Sequence, residues 1–401
     1  MSRTRRKTLH YARRPPASPP DRSGAGRTLD GRPGLYIHIP FCRRKCPYCD
    51  FYSVPYESGI ATEYIGIVTK QIRKLNTKFS SVYIGGGTPS VLSPVLLRRL
   101  LDSLRPHLTA SDENTVEGNP ESLDEEKLRI LYAGGINRLS IGVQSFRDDK
   151  LEFLGRIHDS ERAQAVIAAA TACGFINTGI DLMYGVPGET LKDWAQELRI
   201  AAGSSVKHIS CYALTCEPHT RFYRLRHSIS QEHGARMYSY TMKFLNARGF
   251  KHYEVSNYAR VRYRCRHNLA YWANAPYVGV GASAVSYSGG IRMKNVSDVA
   301  EYIRRFKGDR ALAAGRERLS ARRRAKETAA LNIRRASGID FKEFKKMSGF
   351  HFWEIEDRRQ IMQFIRLRFL SYRRDRAGSV GGIALTRRGF LYADSVSSAL
   401  L

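Results

Sequence analysis

No stretch of this chain of 401 residues comes near the ~20 consecutive apolar residues that a membrane-spanning helix requires. The run VIAAATACGF reads as a short helix face. A basic start followed by the apolar centre of a secretory signal is missing as well, so the expectation is a soluble, cytoplasmic protein. Acidic side chains are scarce, 37 against 66 Lys and Arg, for a net charge of +29. Paired cysteine spacing is lacking too: the seven cysteines are an odd number, which argues against a disulfide framework. In a reducing compartment, clustered cysteines are metal ligands. What is present is enough for a full core, since 42% of the side chains are hydrophobic, and the length fits two or three domains.

A strongly basic chain invites a nucleic-acid partner, because cationic side chains displace counterions from phosphate. Here the charge sits toward the ends. Residues 1–33 carry nine Lys or Arg against two Asp, and residues 304–388 carry 24 against nine acids. Arg outnumbers Lys 49 to 17, as an arginine-biased genome would give with no selection for a partner. No helix-turn-helix, RNA-recognition or zinc-finger pattern accompanies the charge, so no specific nucleic acid is expected. Residues 1–33 also hold five prolines and few apolar side chains, which predicts a disordered basic extension. Those prolines would break the amphipathic helix of an organelle transit peptide.

From residue 34 short apolar strands alternate with helical stretches: LYIHI, SVYIG, NTVEGNP, RLSIGVQS, NTGIDLMYGVP and HISCYALT are each followed by a helix pattern. Six such units predict an α/β fold with a parallel sheet and outer helices, most of a barrel but short of eight units. Gly85 to Thr88, Glu117 with Asn119, Gln144 with Ser145, and Asp181 are then expected at the C-terminal strand ends, with His38 ending the first strand. In a parallel barrel those ends share the face where active sites are built.

The loop after the first strand reads CRRKCPYCDF, placing Cys42, Cys46 and Cys49 at C-x3-C-x2-C. Thiolates so spaced can hold three irons of a cubane cluster and leave the fourth iron open. The alternative is zinc, which needs a fourth ligand, His38 or a distant cysteine.

This spacing, with an aromatic before the last cysteine, resembles the signature of radical S-adenosylmethionine enzymes. The motifs LYIHIPFC, YIGGGTPS, NRLSIGVQSF, LGRIH, IDLMYGVPGET and HNLAYW extend it over residues 34–290. In that order they resemble the family uniting oxygen-independent coproporphyrinogen III oxidases with haem chaperones of the HemW type. The resemblance implies a partial (βα)6 TIM-like barrel over residues 34–290. It also implies a smaller helical, winged-helix-like domain over residues 291–401.

It further implies a [4Fe-4S] cluster on Cys42, Cys46 and Cys49, with S-adenosyl-L-methionine on the open iron. Tyr36, Tyr48, Gly86, Gly87, Thr88, Glu117, Gln144, Arg156 and Asp181 match cofactor-contacting positions. Glycines let backbone approach the methionine end, the carboxylates suit an ammonium or ribose hydroxyls, and Arg156 suits a carboxylate.

The oxidases continue with a fourth cysteine two positions on, where this chain has Phe51, while the chaperone branch carries an aromatic there. That branch also carries H-N-x-x-Y-W, here His267, Asn268, Tyr271 and Trp272. An imidazole can ligate haem iron and the aromatic rings can lie on the macrocycle, with Cys265 as a rival ligand. The implied function is a haem chaperone serving apo-haemoproteins. The alternatives are the coproporphyrinogen oxidase itself and a radical enzyme acting on RNA. The basic C-terminal region, with Arg322, Arg323, Arg324, Arg373, Arg374 and Arg376, suits haem propionates or an anionic membrane surface, and a homodimer is a further expectation.

Overall fold

Alternation within single strands sets the architecture. In Gly34–Ile39 the side chains of Leu35, Ile37 and Ile39 are fully buried in the main hydrophobic cluster, while Tyr36 is part-exposed on the other face. The computed structural model describes residues 31–109, 112–225, 230–375 and 378–401, so the basic extension expected over 1–33 lies outside the described residues except for its last three.

Six strands follow one another across the sheet: β1 (Gly34–Ile39), β2 (Ser81–Gly86), β3 (Glu113–Gly118), β4 (Arg138–Gln144), β5 (Asn177–Tyr184) and β6 (His208–Ala213). All five neighbouring pairs are parallel. Each connection carries a helix: α1 (Ser58–Arg73), α2 (Pro94–Leu104), α3 (Glu125–Ala133), α4 (Asp148–Phe153) with α5 (Ser160–Ala172), and α6 (Leu191–Gly203). Caps fix where several of these helices begin. Ser93, Asp124 and Asp159 accept from the backbone of α2, α3 and α5, and Thr190 and Asp193 form a capping box on α6, each cap being worth about 1 kcal/mol. Trp194 of α6 is fully buried and satisfies its indole N–H on Thr241 at 2.7 Å.

The ring is left open. The other neighbour of β1 is β9 (Tyr277–Val280), not β6, whose own outer partner is the antiparallel β8 (Asn257–Ala259) beyond β7 (Lys251–His252) in sequence. Antiparallel β10 (Val285–Ser288), β11 (Ile291–Asn295) and β12 (Ala313–Arg318) extend the sheet past β9. Residue 290, expected as a domain boundary, therefore lies in the turn of the β10–β11 hairpin, and the main sheet ends only at Arg318. Beyond it the helix Ala321–Asn332 leads to a unit of short helices and a three-stranded antiparallel sheet, β13 (Ile339–Asp340), β14 (Leu370–Arg374) and β15 (Val380–Leu385). Gly338 makes the turn before β13 with φ 63°, and β14 and β15 form an antiparallel hairpin.

Candidate functional site

Register sorts the inward side chains into layers. Nearest the strand starts are Gly34, Ser81 and Glu113; next come Tyr36, Tyr83, Thr115, Arg138 and Asn177; above them stand Glu117, Ser140 and Gly179. Asp181 is higher again, opposite Ser210. It lies at mid-strand rather than at the strand end, because β5 runs on to Tyr184.

The cysteine loop closes over the far end of β1. Cys42 is held by a short pairing of Phe41–Cys42 with Val54–Pro55, and Cys46 and Cys49 are bound into one turn by the Cys49 N–H donating to Cys46 O at 3.1 Å. Thr88 Oγ1 is 3.4 Å from Cys42 Sγ and accepts from Asn119 Nδ2 at 3.0 Å. Gly87 is there because nothing larger fits: a Cβ would come within 2.8 Å of Phe41 O and 3.0 Å of Cys42 Sγ. Gly86, at φ 117°, likewise leaves room for the His38 ring.

The LGRIH segment underpins the loop from the side. Gly155, at φ 68°, lets Pro47 approach where a Cβ would come within 2.6 Å of it. Arg156 donates Nη1 to Cys46 Sγ at 3.4 Å and Nη2 to Gly142 O at 3.1 Å, with Glu121 3.6 Å away. His158 bridges Glu121 and Val143 O. The guanidinium expected for a ligand carboxylate is thus committed to the cysteine loop, although its buried Nε has no partner. Tyr48 turns toward Phe222, with ring centroids 6.4 Å apart.

These thiols fit a cluster better than a zinc ion. Burial raises the Cys42 and Cys49 thiols, and each is raised further by the charge of Cys46, so the three lie within electrostatic reach of one another. Yet among the described residues no three His, Cys, Asp or Glu side chains converge where one ion could sit. Separate irons of a cubane ask for that spread; a single tetrahedral ion does not. His38, the candidate fourth zinc ligand, has both ring nitrogens engaged, by Tyr36 OH at 3.0 Å and Tyr52 O at 3.1 Å.

Beside the loop, Glu117 accepts from Tyr83 OH at 2.7 Å and from the Gly86 N–H at 3.1 Å. Burial, with Asp181 nearby, pushes its carboxyl up to about 7. Gln144 ends β4 at φ 65°, and its amide and that of Asn119 flank Gly142. Tyr36, Tyr83, Glu117, Gln144 and Asp181 all keep partial exposure within the strand array. Tyr36, Glu117 and Asp181 thus stand in successive inward layers of the strand array, and Gly86, Gly87, Thr88 and Gln144 lie at its C-terminal end beside the cysteine loop.

The HNLAYW segment goes elsewhere. It forms the helix Arg266–Trp272, whose first turn is capped by Glu113: Arg266 N and His267 N donate to its carboxylate at 2.9 and 3.2 Å. His267 Nδ1 lies 2.8 Å from Ser81 Oγ, its ring stacks on Tyr83 at 5.0 Å, and only 2% of the residue is exposed. Burial, with Arg138 nearby, lowers it to about 3. This is the strand-start end of the barrel, opposite the cysteine loop. Tyr271 packs edge-on against His267 at 4.7 Å, half-buried Trp272 lies beneath the Arg334 guanidinium at 4.9 Å, and Asn268 is half-buried. Cys265 is fully buried with its thiol on Glu113 at 3.4 Å. His267 Nε2 is buried without a hydrogen-bond partner, and the motif lies at the barrel floor.

Ser81, Tyr83, Glu113, Glu121, Arg138 and His158 were not singled out by sequence. Tyr83 had a readable signal, its place two before Gly85 on the same strand face. Glu113 and Arg138 had none, since their role depends on a helix that arrives more than a hundred residues later.

A parallel strand array with a three-thiol loop at its C-terminal ends defines a radical S-adenosylmethionine protein, and the model of the radical SAM superfamily matches residues 36–201. The solved structure of coproporphyrinogen III oxidase (HemN) from Escherichia coli superposes with a TM-score of 0.80 at 22% identity, over 93% of this chain and 91% of that one, a likeness of fold. The heme chaperone HemW of Bacillus subtilis is 37% identical over 327 residues, 78% of this chain and 86% of its own length. That of Lactococcus lactis is 33% identical over 374 residues, 91% and 96% respectively. The chain belongs to the HemW family.

Proposed function

We propose that this protein is a haem chaperone, which takes up haem and passes it to apo-haemoproteins. In this reading Cys42, Cys46 and Cys49 carry a [4Fe-4S] cluster, and S-adenosylmethionine occupies the polar space below it. The observation that carries the reading is the end of the cysteine loop, where Phe51 stands 71% exposed in place of a fourth cysteine, in a chain whose family members are named haem chaperones.

When bound, the cluster and S-adenosylmethionine would supply one-electron chemistry or a regulatory state. The chain's own residues bind and shield. Gly86 and Gly87 bring backbone close, Glu117 and Asp181 offer carboxyls to an ammonium or ribose, and Thr88 and Arg156 hold two of the thiols in place.

Cytoplasmic placement, docking of the basic C-terminal unit on an anionic membrane surface, and a homodimer belong to the same proposal. No helix among the described residues is long and apolar enough to cross a membrane. Flotation with phosphatidylserine vesicles and sedimentation of the reconstituted protein test the last two.

The central test reconstitutes the full chain without oxygen, titrates haem by absorbance, and follows transfer to an apo-haemoprotein. The expected result is stoichiometric haem binding and transfer, with no turnover when coproporphyrinogen III, S-adenosylmethionine and a reductant are supplied. Formation of protoporphyrinogen IX would overturn the proposal.

A further inference from the structure

Four neighbouring strands, β3 to β6, each aim a buried polar side chain into the barrel and leave it with an unpartnered atom. On β3, Thr115 faces inward between Glu113 and Glu117, and beside it in register stand Arg138 at the start of β4 and Asn177 at the start of β5. His208 opens β6 opposite Gly179, whose missing Cβ leaves room for the imidazole, since a Cβ would come within 3.2 Å of Nδ1. Thr115, Arg138 and His208 are at most 1% exposed, and Asn177 is 9% exposed. Among the described residues, Thr115 Oγ1, Arg138 Nε and Nη1, Asn177 Oδ1 and His208 Nδ1 have no hydrogen-bond partner. Buried polar atoms in folded proteins are nearly always paired, so orphans on adjoining strands point to a group that the chain does not itself supply.

Most of these atoms are donors. Burial, with Arg138 nearby, lowers His208 well below its ordinary 6.5, so the ring is neutral and carries one hydrogen. Tyr253 OH accepts from Cys265 N at 3.3 Å and lies 2.7 Å from His208 Nε2. The hydroxyl gives its single hydrogen to Nε2, which assigns the ring hydrogen to the unpartnered Nδ1. Arg138 adds N–H groups and a full charge, Thr115 adds a hydroxyl, and the Asn177 amide presents oxygen or nitrogen by a half-turn.

No carboxylate of the chain is hydrogen-bonded to that charge. Three carboxyls lie within electrostatic reach of the guanidinium, but each is engaged elsewhere. Glu113 accepts from the backbone of Arg266 and His267, Glu117 from Tyr83 and the Gly86 N–H, and Asp181 from Ser210 and Ser140. Burial also pushes Glu117 and Asp181 toward their neutral forms. Donors gathered around a buried guanidinium suit an anion, and a carboxylate above all, whose planar pair of oxygens a guanidinium matches. Tyr36 and Tyr83, in the same layer, are part-exposed, so space inside the barrel reaches this level.

We propose that Arg138, with Thr115 and His208, receives a carboxylate of the haem cargo inside the barrel. The proposal rests on the chaperone reading and deepens it, haem being an apolar macrocycle edged by propionates. Arg156, the guanidinium expected to take a ligand carboxylate, is committed to the cysteine loop, and Arg138 is not.

The test titrates haem, and separately haem dimethyl ester, whose propionates are blocked, into the reconstituted full-length protein and into Arg138→Gln and Thr115→Val. Wild type should bind haem about tenfold or more tighter than the ester, as a hydrogen bond to a charged group predicts. Arg138→Gln should weaken haem by about the same factor and leave the ester unchanged. Thr115→Val should weaken haem less, and the ester not at all. S-adenosylmethionine affinity, titrated in parallel, should hold in both variants. Circular dichroism checks folding, and Thr115→Val carries the comparison if Arg138→Gln does not fold.

Variants that prefer haem over the ester as strongly as wild type overturn the site. So does equal affinity of wild type for haem and ester, which would leave only water at Arg138. Loss of S-adenosylmethionine affinity with haem affinity intact overturns it too, by assigning the guanidinium to that ligand's carboxylate. In each case haem still binds and the chaperone reading stands; failure of the wild-type protein to bind haem overturns both.

Discussion

His267 Nδ1 lies 2.8 Å from Ser81 Oγ, in the side-chain layer nearest the strand starts. The cysteine loop begins beyond the opposite end of the same sheet, roughly 17 Å away for a six-residue strand. The HNLAYW motif therefore stands at the floor of the barrel interior, at the other end of the strands from the cysteine loop.

That position makes His267 an acid-sensitive element. Its folded pKa is lowered to about 3 from an ordinary 6.5, so between those values the unfolded chain binds a proton that the native chain refuses. Stability is therefore undiminished above pH 6.5 and falls as pH drops through the window, by about 1.4 kcal/mol per unit for this one group. His267→Gln keeps a polar partner for Ser81 and removes the titration. Urea unfolding at pH 7.5 and 5.0 should show a smaller acid loss in the variant; His208 and His252, lowered in the same direction by burial, retain the remainder. Equal acid losses in variant and wild type would refute the assignment.

Gly87 tests the loop's closure. A methyl group there would meet Phe41 O at 2.8 Å and Cys42 Sγ at 3.0 Å, and a backbone oxygen cannot swing aside. Gly87→Ala should fold, with a cost of about 1–3 kcal/mol for the overpacking, and retain less than half of the wild-type iron and sulfide after reconstitution. Full cluster content in that variant would show that Cys42 has slack.

Arg156 joins three parts of the site. It donates to Cys46 Sγ and Gly142 O and stands 3.6 Å from Glu121. Arg156→Ala leaves the Glu121 side chain with His158 as its remaining side-chain partner, a loss of about 3–5 kcal/mol by the usual cost of breaking a buried pair. The positioning role predicts more than instability. The reconstituted variant should lose iron to a chelator several-fold faster than wild type at a temperature where both are folded, and Arg156→Lys should rescue stability better than retention, because a point charge cannot serve sulfur and carbonyl together. Chelation rates that match wild type would reduce Arg156 to a core ion pair.

Much of this was legible in sequence. Alternation in LYIHI gave β1 and its inward Tyr36, and the order of strands followed from repeated units. The cysteine spacing and the GGG run located the open face, since loop and glycine turn both follow strand ends. The floor was not legible. His267 pairs with Ser81 across 186 positions, and Arg266 and His267 meet Glu113 across more than 150, contacts that no local pattern encodes. Asp181 was expected at a strand end; the strand carries on three residues further, to Tyr184.

Glu117 is the carboxyl best placed to report on the occupant of the polar space. Its pKa is raised to about 7 from 4.5, chiefly by burial and then by Asp181, against the pull of the Tyr83 hydroxyl and the Gly86 N–H. The native chain thus holds a proton between pH 4.5 and 7 that the unfolded chain has lost. Its contribution to stability is full below 4.5 and declines as pH rises to 7, by no more than about 3 kcal/mol. Glu254 and Glu356 are raised in the same direction, so the comparison must be with Glu117→Gln and not with a calculated baseline. A cationic ligand beside Glu117 favours the ionised form and expels the proton. Calorimetry at pH 6.5 in two buffers of different ionisation enthalpy should therefore detect a substantial fraction of a proton released per S-adenosylmethionine bound to the reconstituted wild type, and almost none with Glu117→Gln. Identical proton release from the two proteins would place the cationic group of the ligand away from β3.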